Sequence, residues 1–125
     1  MQAHDLAAAR AALPDDFYMH DHRRTGVGPL GSADEFVASL AAAFEQSGDV
    51  TFETLWHVAI AEHGMLSVGR TFGTLRDGGE WESVLLRLTR HEGDRLIGME
   101  LFELEDLDRA RARFQELRAA YAANG

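Results

Sequence analysis

The sequence contains no cysteine and no lysine. Without cysteine there is no disulfide, no thiolate nucleophile, no zinc finger and no iron–sulfur cluster. Without lysine there is no Schiff-base chemistry on a side-chain amine. All twelve basic residues are arginine, and they face 21 acidic ones, for a net charge of −9. A chain this acidic lacks the clustered cations that nucleic-acid binding needs, and it is repelled by anionic membrane surfaces. No apolar run approaches the ~20 residues of a membrane-spanning helix. The start, MQAHDLAAARAALPDD, carries an acid early and lacks the apolar stretch of a secretory leader. The expected location is the cytoplasm. A length of 125 residues suits one domain with a real hydrophobic core.

What is present falls into a clear order. Residues 3–12 have Leu6, Ala9 and Leu13 at helical spacing, with Pro14 ending the run. Phe17–His20 predicts a short strand. Residues 22–32 hold Gly26, Gly28, Pro29 and Gly31, which predict an irregular loop. Ser32 and Glu35 have the spacing of a capping box. The helix they open runs to about Gln46, with Phe36, Val37, Leu40 and Phe44 as its apolar stripe.

From Val50 the period drops to two. Val50, Phe52, Thr54, Trp56, Val58 and Ile60 fall on one face of a long strand. Met65–Arg76, Trp81–His91 and Arg95–Glu103 continue as strands, separated by His63-Gly64, Asp77-Gly78-Gly79 and Glu92-Gly93-Asp94 turns. Gly69 and Gly73 inside the second long strand predict a bent, curved sheet. Asp106 has the place of an N-cap, and Leu107, Ala110, Phe114, Leu117 and Tyr121 recur as an amphipathic helix. The last few residues, from Ala122, should fray. The fold class is therefore α+β: a cone-shaped, curved antiparallel sheet wrapped around helices, with room for a cavity.

These elements together resemble the nuclear transport factor 2-like superfamily, and within it the SnoaL-like and ketosteroid-isomerase-like branch. The resemblance covers roughly residues 5–120. Its carriers are FYMHDHR (17–23), the glycine loop leading into SADEFVASL (32–40), GMELF (98–102) and the helix after Asp106. It implies a cystatin-like α+β barrel with a conical pocket, a small organic ligand, a frequent homodimer and no organic cofactor. Its members range from isomerases, cyclases and hydratases to non-catalytic modules, and fold alone does not choose among them. Only about one helix precedes the first strand here. The domain, 1–125, therefore has a shortened N-terminal helix or is cut from a longer chain.

Asp21 ends the first strand at the position that, by this resemblance, belongs to the general base of proton-transfer enzymes. A second reading pairs Asp21 with Arg23 or has it cap the glycine loop. The tyrosine and second acid that hold an enolate in such enzymes have no counterpart, because the first helix lacks tyrosine and the region of Leu86 is apolar. His20 and His22 are spaced to share a metal, yet a site needs a third ligand, and strand parity turns both away from Asp21. No metal site is expected. Arg23 shares the face of Asp21 and suits an anionic ligand group. Glu82 and Glu100 sit on largely apolar strand faces. Each is either a pocket acid or one end of an ion pair, with Arg70 and Arg87 as the expected partners. The expected ligand-binding set is Arg23, Trp56, Glu82, Leu86 and Glu100. His63 and His91 adjoin turns and are expected to be exposed. Gly26-Val27-Gly28 lacks the spacing of a dinucleotide fingerprint.

The enzyme reading has Asp21 as base for isomerase-, cyclase- or hydratase-type proton transfer. The alternative is a non-catalytic ligand-sensing or dimerising module, with Val50, Phe52, Trp56, Val58 and Ile60 supplying the dimer surface.

Overall fold

The computed structural model describes residues 5–24, 26 and 28–124. Part of the first expected helix, residues 3 and 4, and Gly125 of the segment expected to fray lie outside that set; α3 continues through Ala122 to Asn124. The first helix, α1, spans Leu6–Ala11, capped by the Asp5 carboxylate accepting from the Ala8 N–H. It is followed by β1 (Tyr18–Asp21), β2 (Gly28–Leu30), α2 (Ala33–Gln46), β3 (Thr51–Ala61), β4 (Gly64–Thr74), β5 (Glu80–Glu92) and β6 (Arg95–Phe102). A 3-10 turn, Leu104–Asp106, leads into α3 (Leu107–Asn124). Asp106 thus lies in that turn.

The strands form one open sheet in the order β2-β1-β6-β5-β4-β3. β1 runs parallel to β6, and the other neighbours are antiparallel. The expected loop at 22–32 contains a strand after all. Residues 28–30 pair with β1, Met19 opposite Leu30 and Asp21 opposite Gly28. Pro29 is tolerated there because β2 is an edge strand.

The capping box forms in a modified way. Ser32 Oγ accepts from the Glu35 N–H at 3.2 Å, while the Glu35 carboxylate reaches one residue further back, to the Gly31 N–H at 2.6 Å. Arg10 ties α1 to this end of α2 through Asp15 and Asp34.

The helices cover opposite faces of the sheet. On one face α3 presents Ala110, Phe114 and Leu117 to Leu66, Val68, Leu86, Leu88 and Phe102, all buried. This is the main core. On the other face α2 packs near β1, and Phe36 joins the cluster of Leu13, Phe17, Met19 and Ala33. Strand alternation makes this division: Leu86 and Leu88 turn to α3, so Leu85 and Arg87 turn to the α2 side.

β3 is the exception to simple alternation. Its register against β4 slips between Thr54 and Trp56, and again between His57 and Ala59. Each slip inserts an extra residue and changes the parity beyond it. Phe52 is thereby turned to the α2 side, while Trp56, opposite Val68, lies on the α3 side. The single apolar face expected from Val50 to Ile60 is split. Leu55, Trp56 and Ile60 remain exposed, at 41%, 59% and 67%.

Candidate functional site

β1 is four residues long, and its parity distributes the chemistry of the FYMHDHR stretch. Met19 and Asp21 turn to the α2 side, whereas Tyr18, His20 and His22 turn to the α3 side. Asp21 is buried at 5% exposure. Its Oδ1 accepts from Arg23 Nε at 2.9 Å and from the Arg23 backbone N–H at 3.1 Å. Its Oδ2 accepts from Arg23 Nη2 at 2.8 Å. This is a two-pronged guanidinium–carboxylate pair, the strongest geometry such a pair adopts. The hydrogen bonds to Asp21 push the Arg23 pKa further up. Arg23 Nη1 also donates to Ser83 Oγ at 3.3 Å, bridging from the β1 end to β5. Gly26 lies against the Asp21 carboxylate, where a Cβ would fall 2.2 Å from Cγ, so the turn after β1 has no room for a side chain there.

The Asp21–Arg23 pair lines a cavity of about 380 Å³ between α2 and the sheet. Its apolar wall includes Phe36 and Leu40 from α2, Phe52, Leu85, Met99 and Leu101. Trp81 is fixed in the wall by its Nε1, which donates to the buried Ser47 Oγ at 3.2 Å. The polar lining comprises Asp21, Arg23, Ser39, Thr71, Ser83 and Arg87. An apolar chamber of this size with a few convergent polar groups is the usual form of a small-molecule site. A larger surface hollow, about 520 Å³, lies between the end of α2 and the β4–β5 turn. There Arg76 donates to the Glu45 carbonyl at 2.7 Å, and nothing in the lining brings acid and base groups together.

A second polar cluster occupies the α3 side. Glu100, at 1% exposure, accepts from Tyr18 OH at 3.0 Å and from Arg113 Nε at 2.9 Å, and its Oε1 lies 2.9 Å from His22 Nε2. His22 stacks between His20 and Phe102, with ring centroids 3.8 and 4.4 Å away. Burial alone would raise the Glu100 pKa, but hydrogen bonds from His22, Arg113 and Tyr18 bring it below the ordinary value. Burial raises the Tyr18 pKa. The groups are mutually satisfied and clamp β1, β6 and α3 together. Among the described residues no three metal-ligating side chains converge.

Of the expected site residues, Asp21 and Arg23 meet at the cavity. Trp56, Glu82, Leu86 and Glu100 are not in its lining. Leu86 is core beneath α3, and Glu100 belongs to the α3-side cluster. Glu82 is ion-paired with Arg70 at 2.6 Å, and Arg70 also holds Glu53 at 2.9 Å. The physical reason is parity: these residues alternate with those that line the cavity, and the β3 bulge carries Trp56 across. Arg70 is the expected partner of Glu82, but Glu100 takes Arg113 from α3 instead of Arg87.

His63 is buried at 2%, not exposed, because α3 closes over it. Its Nε2 faces the Phe114 carbonyl at 3.1 Å. Phe36, Ser83, Leu85, Arg87 and Met99 are cavity residues that were not among the expected ligand-binding set. The signal for three of them was the second face of β5, Ser83-Leu85-Arg87, an arginine set among apolar and small side chains.

No protein-family model matches the chain, and no curated protein is similar to it in sequence. Solved structures are similar. An NTF2-like protein from Burkholderia thailandensis is 25% identical, over 79% of this chain and 78% of that one, with a TM-score of 0.63. A Catenulispora acidiphila protein with a ketosteroid isomerase-like fold, solved in complex with trimethylamine, has a TM-score of 0.63 at 11% identity, over 82% of this chain and 88% of that one. A putative SnoaL-like polyketide cyclase from Jannaschia has a TM-score of 0.62 at 13% identity, over 78% and 70%. What these proteins share with this chain is the fold. Among the described residues no helix is long and apolar enough to cross a membrane.

Proposed function

From an NTF2-like fold of the ketosteroid isomerase-like and SnoaL-like kind, we propose that this chain holds a small, partly apolar organic molecule in the α2-side cavity. The Asp21–Arg23 pair forms the polar end of that site. The observation that carries this reading is the cavity itself: about 380 Å³, walled largely by apolar side chains, with charged groups confined to a few positions.

The methionine methyls provide the test. Met19 and Met99 line the cavity, and Met65 is not in its lining. In a screen of small aromatic and alicyclic ketones, alcohols and acids, a bound compound should shift the Met19 and Met99 methyl carbon signals and leave Met65 in place. Ala43 also lines the cavity. Replacing it by Phe should fill the space and remove the response. A screen that moves neither cavity methyl, or an Ala43→Phe variant that responds as before, would count against the reading.

A second reading has Asp21 as the base of a proton-transfer reaction of isomerase, cyclase or hydratase type. It is favoured by the burial of Asp21 within the cavity lining, where a carboxylate meets ligand out of bulk water. Asp21 accepts three hydrogen bonds from Arg23, so a proton taken from carbon has to reach a lone pair that they leave open. Asp21→Asn would then abolish turnover of an identified substrate with the fold retained.

Exposed Leu55, Trp56 and Ile60 on the edge strand β3 favour a homodimer through that edge. Light scattering that finds a monomer at every concentration would exclude it.

A further inference from the structure

Of the two arginines that line the cavity, Arg23 has a carboxylate partner and Arg87 has none among the described residues. It lines the cavity beside Leu85 and Leu101, half-buried. Arg23 is neutralised by Asp21, Arg70 by Glu53 and Glu82, and Arg113 by Glu100 and Glu116. Arg87 has no carboxylate within ion-pair distance among the described residues. Its hydrogen bonds go to neutral acceptors, Thr54 Oγ1 at 3.3 Å and the Glu53 carbonyl at 3.5 Å. Both are at or beyond the long end of the hydrogen-bond range. A guanidinium has five N–H donors, so most of its capacity is unspent.

The position is shaped for this side chain. A Cβ on Gly69 would fall 2.4 Å from Arg87 Nη2, so the bare glycine backbone of β4 makes the groove in which the guanidinium rests. Burial lowers the Arg87 pKa, as expected where a cation leaves water without gaining a counter-ion.

The charge of the cavity follows. Its charged lining residues are Asp21, Arg23 and Arg87. One acid against two arginines leaves one net positive charge, inside a protein whose net charge is −9. The register fixes where that charge lies. Asp21 is paired with Leu101 on β6, and Leu101 with Arg87 on β5. Asp21 and Arg87 therefore stand in one cross-strand row, two strands or about 10 Å apart at the backbone, with Leu101 between them.

We propose that Arg87 is the anion-holding group of this cavity, and that the molecule it takes is a small apolar carboxylate. Its acid group sits on the Arg87 fork, and its hydrocarbon body lies over Leu85, Met99 and Leu101. A planar guanidinium receives a carboxylate through two parallel N–H···O bonds. The inference rests on the cavity reading above and adds the ligand class.

The test uses the full chain and two probes of one shape, 2-naphthoate and its neutral amide, 2-naphthamide. Affinities are read by calorimetry, and Met19 and Met99 methyl shifts locate the probe. The carboxylate is expected to bind at least tenfold more tightly than the amide. Arg87→Met should erase that difference. Gly69→Ala, which crowds the guanidinium without removing it, should weaken the carboxylate severalfold, and it covers the case in which Arg87→Met fails to fold. Equal binding of the two probes to the native protein, or a carboxylate preference that survives in Arg87→Met, overturns the role of Arg87 while the cavity reading stands. If neither probe moves the cavity methyls and no compound of the wider screen does so, both fall together.

Discussion

Replacing Glu100 by Gln tests whether the α3-side polar cluster clamps the fold independently of the α2-side cavity. The carboxylate is 2% exposed at its side chain and is held by Tyr18, His22 and Arg113. The amide keeps one acceptor oxygen and places an NH2 donor where an acceptor is needed. Each hydrogen bond to a charged group contributes about 1.5–3 kcal/mol. Tyr18 can keep its bond to the remaining oxygen. Arg113, whose side chain is 33% exposed, recovers part of its loss from water. The net cost works out at about 2–4 kcal/mol, below the ~3–5 kcal/mol seen when a fully buried charge is stranded.

Urea unfolding followed by Trp fluorescence would measure that cost. The pH dependence adds a second check. Glu100 has a folded pKa below the ordinary 4.5, because the hydrogen bonds from His22, Arg113 and Tyr18 outweigh its burial. A group that gives up its proton more readily when folded stabilises the fold fully above the unfolded value. That contribution fades as the pH falls from 4.5 towards the folded value. The gap between native protein and Glu100→Gln should therefore be widest near neutrality and narrow below pH 4.5. Binding in the cavity should not change, because Glu100 points to the other face. A stability loss under about 0.5 kcal/mol, the range of an ordinary surface change, would refute the clamp. So would loss of cavity binding in a variant that remains folded.

Asp21→Asn should cost about 1–3 kcal/mol through loss of the paired contacts to Arg23. It should also tighten the binding of anionic probes, since the cavity gains a positive charge; calorimetry with 2-naphthoate would show weaker binding if this electrostatic reasoning is wrong. Gly26→Ala should destabilise by about 1–3 kcal/mol, as its methyl would overlap a carboxylate that Arg23 holds in place; thermal melting within error of the native protein would contradict that. His63 should make the fold acid-sensitive above the carboxylate range. Burial keeps it neutral, Arg118 and Arg90 act in the same direction, and the Phe114 carbonyl opposes them. Its folded pKa lies below 6.5, so its contribution is complete above that value and is lost as the pH falls below it, by at most about 1.4 kcal/mol per pH unit. His63→Gln should flatten the stability profile between pH 6.5 and 5, and an unchanged slope would show that His63 is not its source.

The fold was legible where local signals and long-range packing agree. The four long strands, their turns and the two longer helices all follow from period and capping, and the structure places them within a few residues. β2 was hidden because its three residues, Gly28-Pro29-Leu30, carry loop composition; what makes them a strand is the edge that β1 offers. The bulges in β3 were hidden for a related reason. Thr54 to Ala59 alternates without a break in the sequence, and the slip arises only in pairing with β4. A misplaced bulge moves every later side chain to the other face, which is how Trp56 came to be expected beside Phe52.

The site shows the same limit at closer range. Parity alone separates Asp21 from His20 and His22, and the alternative that pairs Asp21 with Arg23 needs only the end of one short strand and the turn after it. Partners from distant elements carry no such signal. Arg113 lies on a helix whose docking face was visible, but the side of the sheet it docks against was not. Glu100 is therefore held by Arg113 from α3, a partner that carried no signal in the sequence. Once α3 claims Glu100, the carboxylates of β1 and β6, Asp21 and Glu100, serve different faces, and Arg87 loses its expected partner. An arginine that is predicted to be paired and is found alone, on the wall of a cavity, carries more information about the ligand than the acid first suspected. On the proposed reading, the charge that Arg87 carries into the cavity is the one a bound carboxylate would balance.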